Sequence, residues 1–174
     1  RLQGYWSVFY GSCGTTYSSF FWDNIPGDFD LPGAWDMQHL KDLILSRPMR
    51  DYVPDQSLIT SDTMGSDDVG NYNSPNWGAV DRRVATRAAN KAWAMFYTTQ
   101  GKAIGVRRSR LADGAMSAYW YNPRNGLWND DMGSESSSKN AAQAGIATGS
   151  GASDMTFDPP GDTGPDNDWV LVLE

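Results

Sequence analysis

Few side chains in this 174-residue chain are equipped for acid–base or metal chemistry. Hydrolysis by an acid–base pair needs two carboxyl groups, one protonated and one ionised, on either side of the bond that breaks. Glutamate occurs only at Glu135, in a serine-rich stretch, and at Glu174, the last residue; the other carboxyls are aspartates. Cys13 is alone and His39 is the single histidine. An internal disulfide, a Cys/His zinc site and a Cys-x-x-Cys redox pair are therefore excluded. His39 reads as a surface or half-buried hydrogen-bonding residue on a helix. Aspartates cluster at 62–68 and 158–168, either as oxygen ligands for Ca²⁺ or as ordinary turn residues, and neither cluster has EF-hand spacing. No metal and no cofactor is expected.

Aromatic side chains are the richer resource, at 13% of the chain. Tyr119, Tyr121 and Trp128 lie close together in sequence and read either as a platform for a glycan or as core. Alternation along a strand puts Tyr119 and Tyr121 on one face and Trp120 on the other, so at least one face packs inward. A net charge of −7 argues against a surface that tracks nucleic-acid phosphates or anionic membranes. No run of about 18 apolar residues exists to span a bilayer.

These residues need elements to position them. Leu2, Tyr5, Trp6, Phe9 and Tyr10 follow helical spacing with a wide apolar stripe. Residues 12–19 (SCGTTYSS) read as a short strand, followed by a loop with four aromatics. Met37, Leu40, Leu43 and Ile44 mark a second helix, begun by Asp30 and Pro32 and ended before Pro48. An extended, proline-broken connector runs on to residue 60. After the Asp/Asn/Ser/Gly-rich loop 61–81 the pattern turns to strands at 83–87, 91–98, 102–108, 115–121, 127–128, 155–157 and 169–173. Asn122 to Gly126 (NPRNG) is a turn signal, and WVLVL, apolar throughout, predicts a central strand covered on both faces. Residues 133–153 are close to low complexity and predict a mobile surface loop. The fold class expected is α+β: one α/β segment of a parallel barrel (1–60), a loop (61–81) and a small antiparallel β-sandwich (82–174).

Several segments, taken in order, resemble one family. RLQGYWSVFYGSCGTTYSSFFW, LPGAWDMQHLKDLILSRPM and VPDQSLI are similar to the last barrel segment and linker of apiosidase-like glycoside hydrolases. RRVATRA, WAMFYTTQGKAIGV, AYWYNPRNG, FDPP and DWVLVLE are similar to the β-sandwich that follows their (β/α)8 barrel, labelled "putative collagen-binding domain of a collagenase". The resemblance implies a secreted parent enzyme acting on plant cell-wall, pectic glycans. It also implies catalytic carboxylates on barrel strands that precede Arg1, so no catalytic residue is expected within this chain.

GSCGTTYS stands where the family usually has GACGHTYG, at the mouth of the last barrel strand, the face on which barrel active sites lie. That implies substrate-facing positions at Thr15, Thr16, Tyr17, Trp22 and Asp23, with Thr15 in place of the family's histidine. Packing alone is the other reading for Tyr17 and Trp22, and a solvated loop carboxylate for Asp23. The partners implied are carbohydrate and an N-terminal barrel portion. Without that barrel the apolar stripe of the first helix would lie bare, and residues 1–60 are not expected to fold alone. Two further readings of the whole chain stand beside the hydrolase fragment: a non-catalytic glycan- or collagen-binding module, and a structural scaffold domain.

Overall fold

The structure is a computed structural model that describes residues 1–17, 30–60, 82–130 and 133–174. Two helices, α1 (Leu2–Phe9) and α2 (Pro32–Leu45), precede ten strands. These are β1 (Tyr52–Pro54), β2 (Val84–Ala88), β3 (Ala94–Thr98), β4 (Ile104–Val106), β5 (Gly114–Asn122), β6 (Leu127–Asn129), β7 (Glu135–Ser136), β8 (Gln143–Thr148), β9 (Met155–Phe157) and β10 (Trp169–Leu173). The main sheet runs β1-β2-β3-β10-β5-β6-β7, with β8 paired to the first half of β5. A second, two-stranded sheet joins β4 to β9. Every pairing is antiparallel.

Side-chain alternation sorts the main sheet into two cores. Phe96, Trp120, Trp169, Leu171 and Leu173 face the small sheet and pack on Ile104, Val106 and Phe157. Met95, Tyr97, Tyr121, Val170 and Val172 face the other way, onto Tyr5, Val8 and Phe9 of α1 and Leu40, Leu43 and Ile44 of α2. The result is three layers: helices, main sheet, small sheet. β10 lies between β3 and β5 and is buried at every position, as its unbroken apolar run predicts. The hairpin predicted at 122–126 also forms, and Gly126 has φ +74 there. A Cβ at Gly126 would stand 2.6 Å from His39 Nδ1, so glycine lets the turn press against α2.

Three expectations are corrected. First, the apolar stripe of α1 does not wait for a cover outside the chain: Tyr5 and Phe9 are fully buried, with the Tyr5 ring stacked 4.7 Å from that of Tyr97 on β3. Periodicity shows that a face must be covered but not by what. Second, the described part of the strand predicted at 12–19, residues 12–17, is not a strand. Its residues are mostly exposed, and no described strand pairs with it. Third, the stretch at 133–153 carries β7 and β8 rather than being one loop. Its small residues suit a strand buried on one side only, with Ile146 and Thr148 inward, which composition alone disguises as low complexity.

The connector is also more than a spacer. β1 forms the edge of the main sheet, while Leu58 and Ile59 are buried between the sheets and Ile59 bridges to Val106. Thr60 N donates to Gly105 O (2.9 Å) and Arg107 N to Leu58 O (2.8 Å). Residues 52–60 therefore strap one sheet to the other. Asp55 fixes the strap by accepting from Ser57 N and from Arg87 Nε (2.7 Å). Burial pushes its carboxyl up, but those hydrogen bonds and the Arg87 charge outweigh it and hold the group below the usual carboxylate range.

Candidate ligand-binding surfaces

Of the residues implied as substrate-facing, Thr15 and Thr16 are exposed and Tyr17 is half-buried. The Tyr17 ring lies against the first turn of α2, where a Cβ on Gly33 would come within 2.5 Å of it. Trp22 and Asp23 lie outside the described residues. His39 sits above the 122–126 turn, and its backbone O accepts from Tyr121 Oη at 2.8 Å.

The structure does bring Tyr119, Tyr121 and Trp128 together, with ring centroids 6.2 Å apart for Tyr119–Trp128 and 5.1 Å for Tyr121–Trp128. Tyr121 is buried under α2 and offers no ring face to a ligand. Tyr119 and Trp128 are half-buried, and Lys139 Nζ stands 4.1 Å from the first ring and 5.1 Å from the second. Lys139 pairs with Glu174, which also pairs with Arg47; Arg47 in turn lies 5.3 Å over Trp93, itself against Tyr52. Burial pushes the Glu174 carboxyl up, but the Lys139 and Arg47 charges outweigh it and hold it below the ordinary range. The aromatic ridge is thus already capped by the chain's own cations.

The same ridge gives a pH prediction. Tyr52 Oη donates to Ile44 O (2.9 Å), tying α2 to β1. Burial, only partly offset by Arg47, pushes its phenol up to about 12. Tyr5, Tyr97 and Tyr121 are raised too, chiefly by burial. A folded pKa above the unfolded value of about 10 gives stability that is complete below pH 10 and is lost as pH rises through the folded value. Urea midpoints should therefore stay level up to about pH 10 and fall between about pH 10 and 12. The part of the tyrosinate absorbance that these four phenols contribute should rise with the loss of structure rather than before it.

A cleft of about 450 Å³ opens at the seam between the two sheets. Buried Trp120, Phe157 and Pro159 line its inside, with half-exposed Asp130 and exposed Gln143 and Asp158 toward solvent. Both flanking loops are tied down. Asp130 N donates to Ser134 O (3.1 Å) and Ser134 N to Asp130 Oδ1 (2.8 Å). Asn167 Nδ2 donates to Pro160 O (3.1 Å) and Asp162 O (2.7 Å), while Asn167 Oδ1 accepts from Trp169 Nε1 (2.8 Å) and Arg124 Nη1 (3.0 Å).

Next to Asn167 stands Asp168, the most enclosed carboxylate described, at 1% exposure. It accepts from Arg1 Nε and from Tyr97 Oη, both at 2.8 Å, and Arg124 Nη1 lies 3.8 Å away. Arg1 also pairs with Asp36 of α2 at 3.2 Å. One buried anion thus fastens the start of α1, the first half of α2 and the centre of the sheet. Sequence reading passed over Asp168 among the turn aspartates; its position directly before an all-apolar strand was the available signal. The cleft residues gave none, since they come from four separated stretches.

Set against known proteins, residues 53–174 match the family described as "Putative collagen-binding domain of a collagenase", and the chain belongs to that family. The match takes in β1 and all the later strands. Among solved structures, a protein titled "Glycoside hydrolase" aligns over 99% of this chain at 26% identity with a TM-score of 0.72. A glycoside hydrolase family 5 protein from Bacteroides vulgatus aligns over 98% of the chain at 24% identity with a TM-score of 0.63, a likeness of fold. The chain spans only 35% and 34% of the length of those two proteins. No curated protein matches it. The chain is thus a β-sandwich-type domain with two helices, of a kind associated with glycoside hydrolases.

Proposed function

We propose that this chain is a non-catalytic, carbohydrate-binding part of a secreted glycoside hydrolase. One observation carries the reading: nearly the whole chain aligns with a part of a glycoside hydrolase, while its sandwich belongs to a family described by binding rather than by hydrolysis. In the finer form of the proposal the parent resembles the apiosidase-like enzymes and acts on pectic glycans of plant cell walls. Residues 1–60 would then lie at the end of its (β/α)8 barrel, with Thr15, Thr16 and Tyr17 on the substrate side. The motifs at 1–22 and 31–60 support that form.

The test is co-sedimentation of this chain with insoluble plant cell-wall polysaccharides, alongside a reducing-sugar assay on the same materials. Retention on the glycan with no sugar release is the expected result. Release of reducing sugar by this chain alone would overturn the non-catalytic reading. A second reading, matrix binding, is favoured by the family's description; retention on fibrillar collagen and not on any polysaccharide would select it.

A further inference from the structure

We infer that Arg107 and Arg110, beside the 52–60 strap, form a docking site for the carboxylates of an acidic, uronate-bearing glycan. The inference rests on the carbohydrate reading above and adds where such a chain docks and which charge it carries.

Acidic residues outnumber basic ones in this chain by 21 to 14, so carboxylate partners are in good supply. Arg1, Arg47, Arg87 and Arg124 each stand beside one. Arg107, Arg108 and Arg110 do not. They lie in and next to a single 3₁₀ turn, Arg108–Arg110, and among the described residues their guanidiniums bond only to neutral acceptors. Arg107 Nη1 donates to Ser57 O (2.8 Å) and Arg110 Nη1 to Ser57 Oγ (3.0 Å), so two cations converge on one serine. Arg108 turns elsewhere, donating to Ser153 O (2.8 Å) and Ala147 O (3.0 Å).

The charge around Ser57 is positive in balance. Asp55, the carboxylate bonded to that serine, is already paired with Arg87 Nε at 2.7 Å. Arg87, Arg107 and Arg110 thus share one carboxylate, an excess of positive charge on a molecule of net charge −7. Of the other aspartates nearby, Asp113 is turned to Ser150 N and Asp154 is exposed on the Arg108 side. Like charges held together without a counter-ion repel, and an incoming anion relieves that repulsion.

The donors for such an anion are in place. Arg107 is half-buried and Arg110 exposed, and each bond to Ser57 leaves further N–H groups of the guanidinium open. A carboxylate accepts a pair of these side by side. Because Ser57 belongs to the strap and the arginines to the turn after β4, the two side chains are held from separate segments, which lowers the ordering cost of binding. The carbohydrate reading supplies the polymer, and the overall negative charge disfavours a nucleic acid.

Titration calorimetry of the whole chain at low ionic strength tests this. The ligands are an oligogalacturonate, its methyl ester, a neutral xylo-oligosaccharide and a single-stranded DNA oligonucleotide. The ester keeps the sugar chain and removes its charge. Arg110→Gln should weaken oligogalacturonate binding about threefold, as for an exposed ion pair. Arg107→Gln with Arg110→Gln should weaken it about tenfold. Arg107→Lys, which keeps the charge, should retain most of the affinity, and Lys41→Gln, an equal change of charge on exposed α2, should alter nothing. Added salt should weaken the wild-type complex. Thermal midpoints of all variants should match, which separates lost binding from lost folding. Equal binding of acid and ester, or equal effects of Lys41→Gln and the double substitution, would overturn the arginine site and leave the carbohydrate reading standing. Tighter binding of the oligonucleotide, lost in the double variant, would give the site to phosphate and overturn the uronate assignment. Absence of binding to every glycan would remove the carbohydrate reading and this inference with it.

Discussion

Replacing Asp168 by alanine should lower the free energy of unfolding by about 3–5 kcal/mol, the range for breaking a buried ion pair by removing one partner. The carboxylate is 1% exposed and takes hydrogen bonds from Arg1 and Tyr97, with Arg124 close by. Without it the buried Tyr97 hydroxyl loses its acceptor, and two partly buried guanidiniums lose their nearest common anion. In a domain whose whole stability is about 5–15 kcal/mol, such a loss is severe. It should appear as a drop in thermal midpoint of about 10 °C. Asp166→Asn is the control, because that side chain is 93% exposed, its contact with Arg1 is 3.6 Å and asparagine tolerates the positive φ of +62 there; its effect should stay within about 0.5 kcal/mol. Equal midpoints for the two variants would remove Asp168 from its place as the fastening point.

The second large effect lies across the sheet, at Tyr5. Tyr5→Ala should cost about 3–5 kcal/mol, as for other large aromatic truncations in a core. The ring is fully buried, stacked 4.7 Å from Tyr97 and tilted against Phe9 at 6.2 Å. Tyr5→Phe should behave differently. The Tyr5 hydroxyl is buried without a hydrogen-bond partner among the described residues, so removing it should be neutral or should stabilise by up to about 1 kcal/mol. Chemical denaturation of the three proteins separates these outcomes. One shared transition for far-UV circular dichroism and tryptophan fluorescence is expected throughout, because α1 and the sheet enclose the same core. By the same argument a peptide of residues 1–60 should show no cooperative melting, since β3 and β10, which cover Tyr5 and Phe9, are absent from it.

The strands of the second half were legible because each carries its own period. β5, β9 and β10 lie within one residue of the positions their alternation or apolar runs indicate, β3 starts three residues late and ends where expected, and NPRNG marks the hairpin it names. The helices were legible for the same reason, with α2 beginning at Pro32 and stopping before Pro48. Two things were not legible. The partner of an apolar stripe is a long-range fact, and Tyr5 carries no sign that Tyr97, ninety-two residues later, will cover it. A cleft is a property of a seam, and Trp120, Asp130, Gln143 and Asp158 meet only because β5, β8 and β9 come together at one edge of the sandwich. The predicted platform failed at Tyr121 because strand alternation gives a side chain's face but not which face a helix will occupy.

The position of β10 bears on how the molecule is made. The strand that divides the main sheet is the last of the ten to leave the ribosome, so β3 and β5 have each been synthesised with an open edge toward the other. During synthesis those edges, flanked by Phe96, Trp120 and Tyr97, are free to pair with a neighbouring nascent chain. Closure then comes as a late, single insertion of five residues, and the main sheet should complete only once β10 has emerged.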